Sequence, residues 1–243
     1  GWEIPNEEQW QVLLLHFNND SAAGESSSLA YDWSGNGNNG TIIGVNYTIG
    51  EYNNWYEFYN IWSVSFTQNE SIEIADAPEL DLINSGTLEA WVRPIIDTNS
   101  ELTQIILTKG DNYDEYSPYQ LGLSISSSKC YPRIFLGDGA STQSPISTNA
   151  IDCTGEQWYH IAATWDNSTI KIYINGTLDR VITQTVIPVD TSRVLRIGKN
   201  TINEFTFNGT IDEIAIYNRS LSAEEIAVHA GILRLNATAA WTI

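Results

Sequence analysis

The chain runs to 243 residues, 42% hydrophobic and 17% charged, which is the make-up of a globular protein long enough for one large β domain or two small ones. Its 30 acidic residues against 11 basic ones give a formal net charge of −19, so approach to a polyanion costs Coulomb energy instead of releasing counterions, and nucleic acid is not expected as a partner. No apolar run nears the roughly 18 residues of a membrane helix, the longest being the strand-sized VLLLHF, so membrane insertion is not expected either.

In chain order, the first strand signal is QVLLLHF, followed by the turn-rich loop YDWSGNGNNGT. An aromatic run from Asn46 to Trp62, NYTIGEYNNWYEFYNIW, fits no simple strand. Beyond it, stretches rich in Ile, Val, Thr, Tyr and Trp alternate with Gly, Asn, Asp, Ser and Pro: SIEIAD, GTLEAWVRP, QIILTKG, YQLGLSIS, RIFLGD, WYHIAATWD, TIKIYING, VLRIGK and TIDEIAIYN. So many short strands predict an antiparallel two-sheet sandwich. Asn175-Gly176 readily supplies the positive φ angles of a tight hairpin turn. One helix is expected, opened by Ser222 as N-cap with Glu225 three residues on, a capping box, and stopped near Gly231. The tail LRLNATAAWTI either adds a strand or joins a next module. With no repeat and no Pro-rich linker, residues 1–243 read as a single domain with its core at about 12–230. The chain starts at glycine and contains no methionine, as expected of a processed or excised product from which any targeting signal has gone.

In TIDEIAIYN, strict alternation places Asp212 on one face with Ile214 and Ile216, and Ile211, Glu213, Ala215 and Tyr217 on the other. An acid on an isoleucine face needs a cation or backbone N–H groups to compensate it, since burying a bare carboxylate costs several kcal/mol. Cys130 and Cys153 bracket a strand, a loop and another strand whose ends can meet, so a disulfide is expected, two buried thiols being the alternative. Nine N-x-[ST] sequons are present, with Asn19, Asn46, Asn69, Asn167 and Asn236 the candidate glycosylation sites; their density is that of an exported glycoprotein, secreted or at the cell surface.

Taken together and in order, YDWSGNGNNGT, GTLEAWVRP, ILTKGDN, EQWYHIAATWD, IKIYING, LRIG and FNGTIDEIAIYNRSLSAEEI resemble the laminin G-like jelly roll of the concanavalin A-like lectin and glucanase superfamily, over roughly Val12 to Ala230. The resemblance implies an all-β fold, a two-sheet antiparallel jelly-roll sandwich with one short C-terminal surface helix, and it implies scaffold roles for Trp91, Trp158 and His160. Where the family has a Phe-Asp-Gly turn, this chain has SFTQNESIEI, so that hairpin is expected to be rebuilt.

Related jelly rolls often hold one calcium ion between the loop near the start and the strand carrying this Asp. The resemblance thus points to a structural Ca2+ held by Asp32, Asn36, Asn38 and Asp212, with carbonyls of Gly35, Gly37 and the first strand completing an oxygen shell. A plain turn, and an Asp212 capped by backbone N–H groups, are the alternatives. No catalytic residues are assigned: ESIEIADAPE puts Glu73 and Asp76 on opposite faces, where a retaining glycosidase needs two converging acids. No nucleophile motif accompanies His160, and His16, His160 and His229 are too scattered in sequence for a zinc site.

Binding remains. The candidate ligand residues are Asn53, Asn54, Trp55, Tyr56, Tyr59 and Trp62 of the aromatic run, with Tyr113 and Tyr116 of the loop GDNYDEYSPYQ. Aromatic rings suit sugar C–H faces, and amides suit hydroxyls; the same rings serve as protein-interface anchors or simply close one end of the sandwich. The expectation is a non-catalytic extracellular binding or adhesion module for glycans or a cell-surface protein, the alternative a structural or interaction module beside other modules of a larger surface protein.

Overall fold

Branched and aromatic residues spaced two apart, broken by Gly and Asx turns, settle into strands throughout the computed structural model, which describes residues 10–49, 62–67, 70–96, 103–110, 117–200 and 205–232. In chain order the strands are β1 (Gln11–Leu15), β2 (Leu29–Ala30), β3 (Gly40–Ile43), β4 (Asn46–Ile49), β5 (Trp62–Phe66), β6 (Ser71–Ile74), β7 (Gly86–Pro94), β8 (Gln104–Lys109), β9 (Tyr119–Ser126), β10 (Lys129–Gly137) and β11 (Thr142–Gln143). They continue with β12 (Tyr159–Trp165), β13 (Thr169–Ile174), β14 (Thr177–Thr183), β15 (Leu195–Ile197) and β16 (Gly209–Tyr217), before helix α1 (Ala223–His229).

The strands form two antiparallel sheets. The first runs β14-β13-β12-β7-β16-β5-β4, with β1 also paired to β16, and the second runs β11-β10-β9-β8-β15-β6-β3-β2. Between them lies one apolar core, fed by Leu88, Ile161, Ile172 and Ile216 from the first sheet and by Leu107, Leu121, Ile134 and Ile197 from the second. The β12–β13 hairpin turns on Asn167, at φ 64°, with the Asp166 carboxylate accepting from Ser168 N and Thr169 N. Asn175-Gly176 makes the next turn with φ of 47° and 70°, as expected. The strand it opens, β14, was not legible because TLDRVIT is a mostly exposed edge with no alternation to read. SFTQNESIEI is not a rebuilt hairpin: β5 belongs to the first sheet and β6 to the second, so the stretch carries the chain across the sandwich.

The expected facing of Asp212 is wrong by one residue. Asp212 pairs with Trp91 and Ala215 with Glu89, so Glu213 and Ile214 together oppose Ala90 in a β-bulge, and Glu213 takes φ 48°. The extra residue inverts the alternation, leaving Ile211, Ile214 and Ile216 all in the core. Asp212 therefore sits with Trp91, Glu89, Ala215 and Tyr217 on the outer face. On that face Ala162, Tyr173, Ala215, Tyr217 and Leu221 form a second apolar layer that Ile226 of α1 covers. The helix begins as its sequence predicts, with Ser222 Oγ accepting from Glu225 N and the Glu225 carboxylate accepting from Ser222 N.

Candidate functional site

The Asx-rich entry loop and the bulged strand β16 both meet β1. In the loop from Asp32 to Asn39, Gly35 and Gly37 hold φ of 85° and 81°, a left-handed conformation that glycine adopts without a Cβ penalty. The turn this allows folds around the buried Asp32 carboxylate. Its Oδ1 accepts from Leu14 N and Ser34 N, each at 3.0 Å, and its Oδ2 from Ser34 Oγ at 2.9 Å and Asn38 N at 2.8 Å. Asn36 Nδ2 donates to Gln11 O and Asn38 Nδ2 to Val12 O, locking the loop to β1. Asp32, Asn36 and Asn38 are thus brought together, while Asp212 lies in the bulge of β16, its Oδ1 accepting from Glu213 N at 2.9 Å. As a calcium cradle the loop fits poorly, because the sites on Asp32 that a cation would use are filled by N–H and O–H donors. Among the described residues no three His, Cys, Asp or Glu side chains group so as to hold a metal.

The outer face of the first sheet holds a constellation that sequence reading missed. Glu89, from the middle of β7, is fully buried; His229 Nδ1 of α1 donates to its Oε1 at 2.8 Å, and His160 Nε2 of β12 lies 3.4 Å from its Oε2. Burial by itself raises a carboxyl's pKa, but the nearby His229 and His160 outweigh it and hold Glu89 down to about 2. The rings are themselves packed, His160 tilted against Trp91 at 5.4 Å and His229 stacked on Tyr217 at 5.8 Å. One step along, Glu213 meets His16 Nδ1 at 2.5 Å, and His16 packs 5.8 Å from the Trp33 ring. Burial alone would lower the His16 pKa, yet the Glu213 hydrogen bond and charge, with Glu25 behind, raise it. All three histidines are therefore partnered by glutamates of this face, and the signal for it was the outward phase shared by Glu89 and Trp91 in GTLEAWVRP.

Chemically, this pairing holds a buried carboxylate ionised between two imidazoles. It does not suit the general acid of a glycosidase, whose pKa must be raised. The cavity that Glu89, Trp91, His160 and Glu213 line with Leu14 and Ala215 measures about 10 Å³, room for one water molecule and not for a sugar ring.

Of the predicted ligand residues, Trp62 is half-buried at the start of β5 and pairs with Ile49, while Asn53, Asn54, Trp55, Tyr56, Tyr59, Tyr113 and Tyr116 lie outside the described residues. The described ends of the aromatic run are β4 and Trp62 of β5, and β4 is one edge of the first sheet. Among the sequons, Asn19, Asn46 and Asn167 are exposed, and Asn69 and Asn236 lie outside the described residues. Cys130 and Cys153 are disulfide-bonded, with their Cα atoms 6.1 Å apart.

Comparison with known proteins places this arrangement. No curated protein matches the chain. Among solved structures it is similar to the binding domain of Paraclostridial Mosquitocidal Protein 1, at a TM-score of 0.68 and 17% identity over 93% of this chain and 52% of the other. It is similar also to domain 4 of AbnA, an extracellular arabinanase of Geobacillus stearothermophilus solved with arabinotriose, at 0.66 and 22% over 91% and 98%. The receptor-binding domain of botulinum neurotoxin type G gives 0.63 and 19% over 91% and 51%. The chain thus spans about half the length of the two toxin domains. The family model Laminin_G_3 matches residues 66–227, most of the chain and most of both sheets, and the protein belongs to the family it describes, the Concanavalin A-like lectin/glucanases superfamily.

Proposed function

We propose that the chain is a non-catalytic binding module that recognises glycans, or cell-surface components that carry them, on a secreted or surface-exposed protein. The observation that carries this reading is the fold shared end to end with arabinanase domain 4, a domain solved with an oligosaccharide. The toxin domains, named for binding and receptor binding, lend support from the same fold. The disulfide and the exposed Asn19, Asn46 and Asn167 suit an oxidising, exported setting. No helix among the described residues is long and apolar enough to cross a membrane. The finer assignment of ligand contacts to Asn53–Trp62, Tyr113 and Tyr116 is part of the proposal.

A glycan array probed with the whole chain tests the reading. Specific retention of a subset of glycans is expected, weakened about tenfold or more by Trp55→Ala if the aromatic run contacts sugar; a blank array with folded protein rejects glycan recognition. Structural calcium at Asp32, Asn36, Asn38 and Asp212 is proposed as a separate point, and it requires the donors now on Asp32 to turn away. Calorimetric melting in excess calcium and in chelator should then differ by several degrees, and identical melts would remove the ion from the account.

A further inference from the structure

At the opposite edge of the first sheet from β4, a cavity of about 210 Å³ opens between β12, β13, β14 and the segment leading to Cys153. Its walls are Ile151, Tyr159, Ile174 and Leu178, and its polar groups are Asn149, Thr177 and Asp179. We propose that this cleft is a second subsite, taking one neutral sugar ring at the terminus of a glycan; the assignment rests on the glycan-binding reading above and adds to it a place and a ligand class.

Four features of the cleft carry the inference. Size comes first: the volume falls below the roughly 300–1,000 Å³ of sites for drug-sized ligands, which leaves room for about one ring. Second, its tyrosine is fixed beforehand, because Tyr159 Oη accepts from Asp152 N at 3.1 Å and donates to Gln157 Oε1 at 3.0 Å. An aromatic wall held in this way loses no rotamer freedom when a sugar settles beside it. Third, Asp179 is the extra residue of a bulge: Tyr173 pairs with Leu178 and Ile172 with Arg180, so nothing on β13 opposes it. Bulges re-aim side chains beside functional sites. Here the bulge directs the carboxylate to the loop, where Oδ1 accepts from Asn149 N and Asn149 Nδ2 and Oδ2 from Thr148 N. Three of about four acceptor positions are used, leaving one on Oδ2 for a hydroxyl.

The fourth feature is charge. Asp179 is a wall residue, the whole chain carries −19, and the adjacent Arg180 is turned away onto Ile146 O. An anionic sugar would be repelled and a neutral one accepted. Leu178, at 45% exposure, supplies apolar surface at the mouth, where a monomeric protein gains nothing from it.

The test is a 1H–15N correlation titration of the whole chain with the methyl glycosides of arabinofuranose, galactose, glucose and mannose, run alongside the glycan array. Shifts should concentrate at Asn149, Ala150 and Thr177–Asp179 for at least one glycoside. Leu178→Arg, which places a guanidinium in the mouth, should weaken that binding about tenfold or more, whereas Val181→Arg, on the same strand and 48% exposed, should leave it unchanged. A chain that binds the array while no glycoside shifts the cleft resonances, or one on which Leu178→Arg binds like the parent, overturns the subsite alone. A blank array together with no shifts overturns both readings.

Discussion

Glu89 shows how much a single side chain can decide on a sheet face. Its pKa is depressed from an ordinary value near 4.5 to about 2, so the ionised form contributes stability that is present above pH 4.5 and is lost as pH falls toward 2. Over that span the shift corresponds to about 3 kcal/mol. Glu89→Gln is therefore expected to lower stability by about that much at neutral pH and to flatten the stability profile between pH 4.5 and 2, as urea melts at a series of pH values would read. A variant whose acid limb is as steep as the parent's would remove Glu89 as its cause. Little of this was legible in the sequence, because Glu89 lies 71 residues from His160 and 140 from His229 in number, and only the pairing of β7 with β12 and the docking of α1 bring the three together. His160 as a packed strand histidine was legible, since WYHIAATW alternates cleanly.

At the scale of elements, the strands that sequence located best are those with one face in the core; GTLEAWVRP and YQLGLSIS match β7 and β9 to the residue. The failures were of two kinds. Edge strands such as β14 have no buried face, hence no period, and a bulge hides its own phase shift, which is why Asp212 was assigned to the wrong side. The bulge makes a sharp prediction. Deleting Glu213 leaves Ile211, Asp212, Ile214, Ala215, Ile216 in plain alternation, with the three isoleucines still inward, so the shortened chain should fold, losing the His16 contact and about 1–2 kcal/mol. Deleting Ala215 in its place turns Ile216 outward and Tyr217 inward, and should abolish cooperative thermal unfolding. Circular dichroism melts of the two deletions distinguish the cases, and equal stability would show that the bulge does not set the register.

Over the whole molecule, the sandwich, the helix and the disulfide follow from patterns that any reader of the chain can check, because each rests on local spacing. The proposed subsite does not, because the cleft beside Tyr159 is assembled from β12, β13, β14 and a loop whose joint geometry has no signature in any one of them. One feature of the topology reaches beyond stability. β16 pairs with β7 along one side and, along the other, with β5 before the bulge and β1 after it. Until β16 joins, the first sheet exists as three separate pieces, β14-β13-β12-β7, β5-β4 and β1 alone, each with an open edge. Since β16 is the last of the described strands in chain order, a nascent chain leaving the ribosome holds these pieces unlatched while every other described strand is already made. Pausing or truncation just before Gly209 would thus release a half-assembled sheet in which β7, β5 and β1 each present an unpaired edge, a form exposed to aggregation.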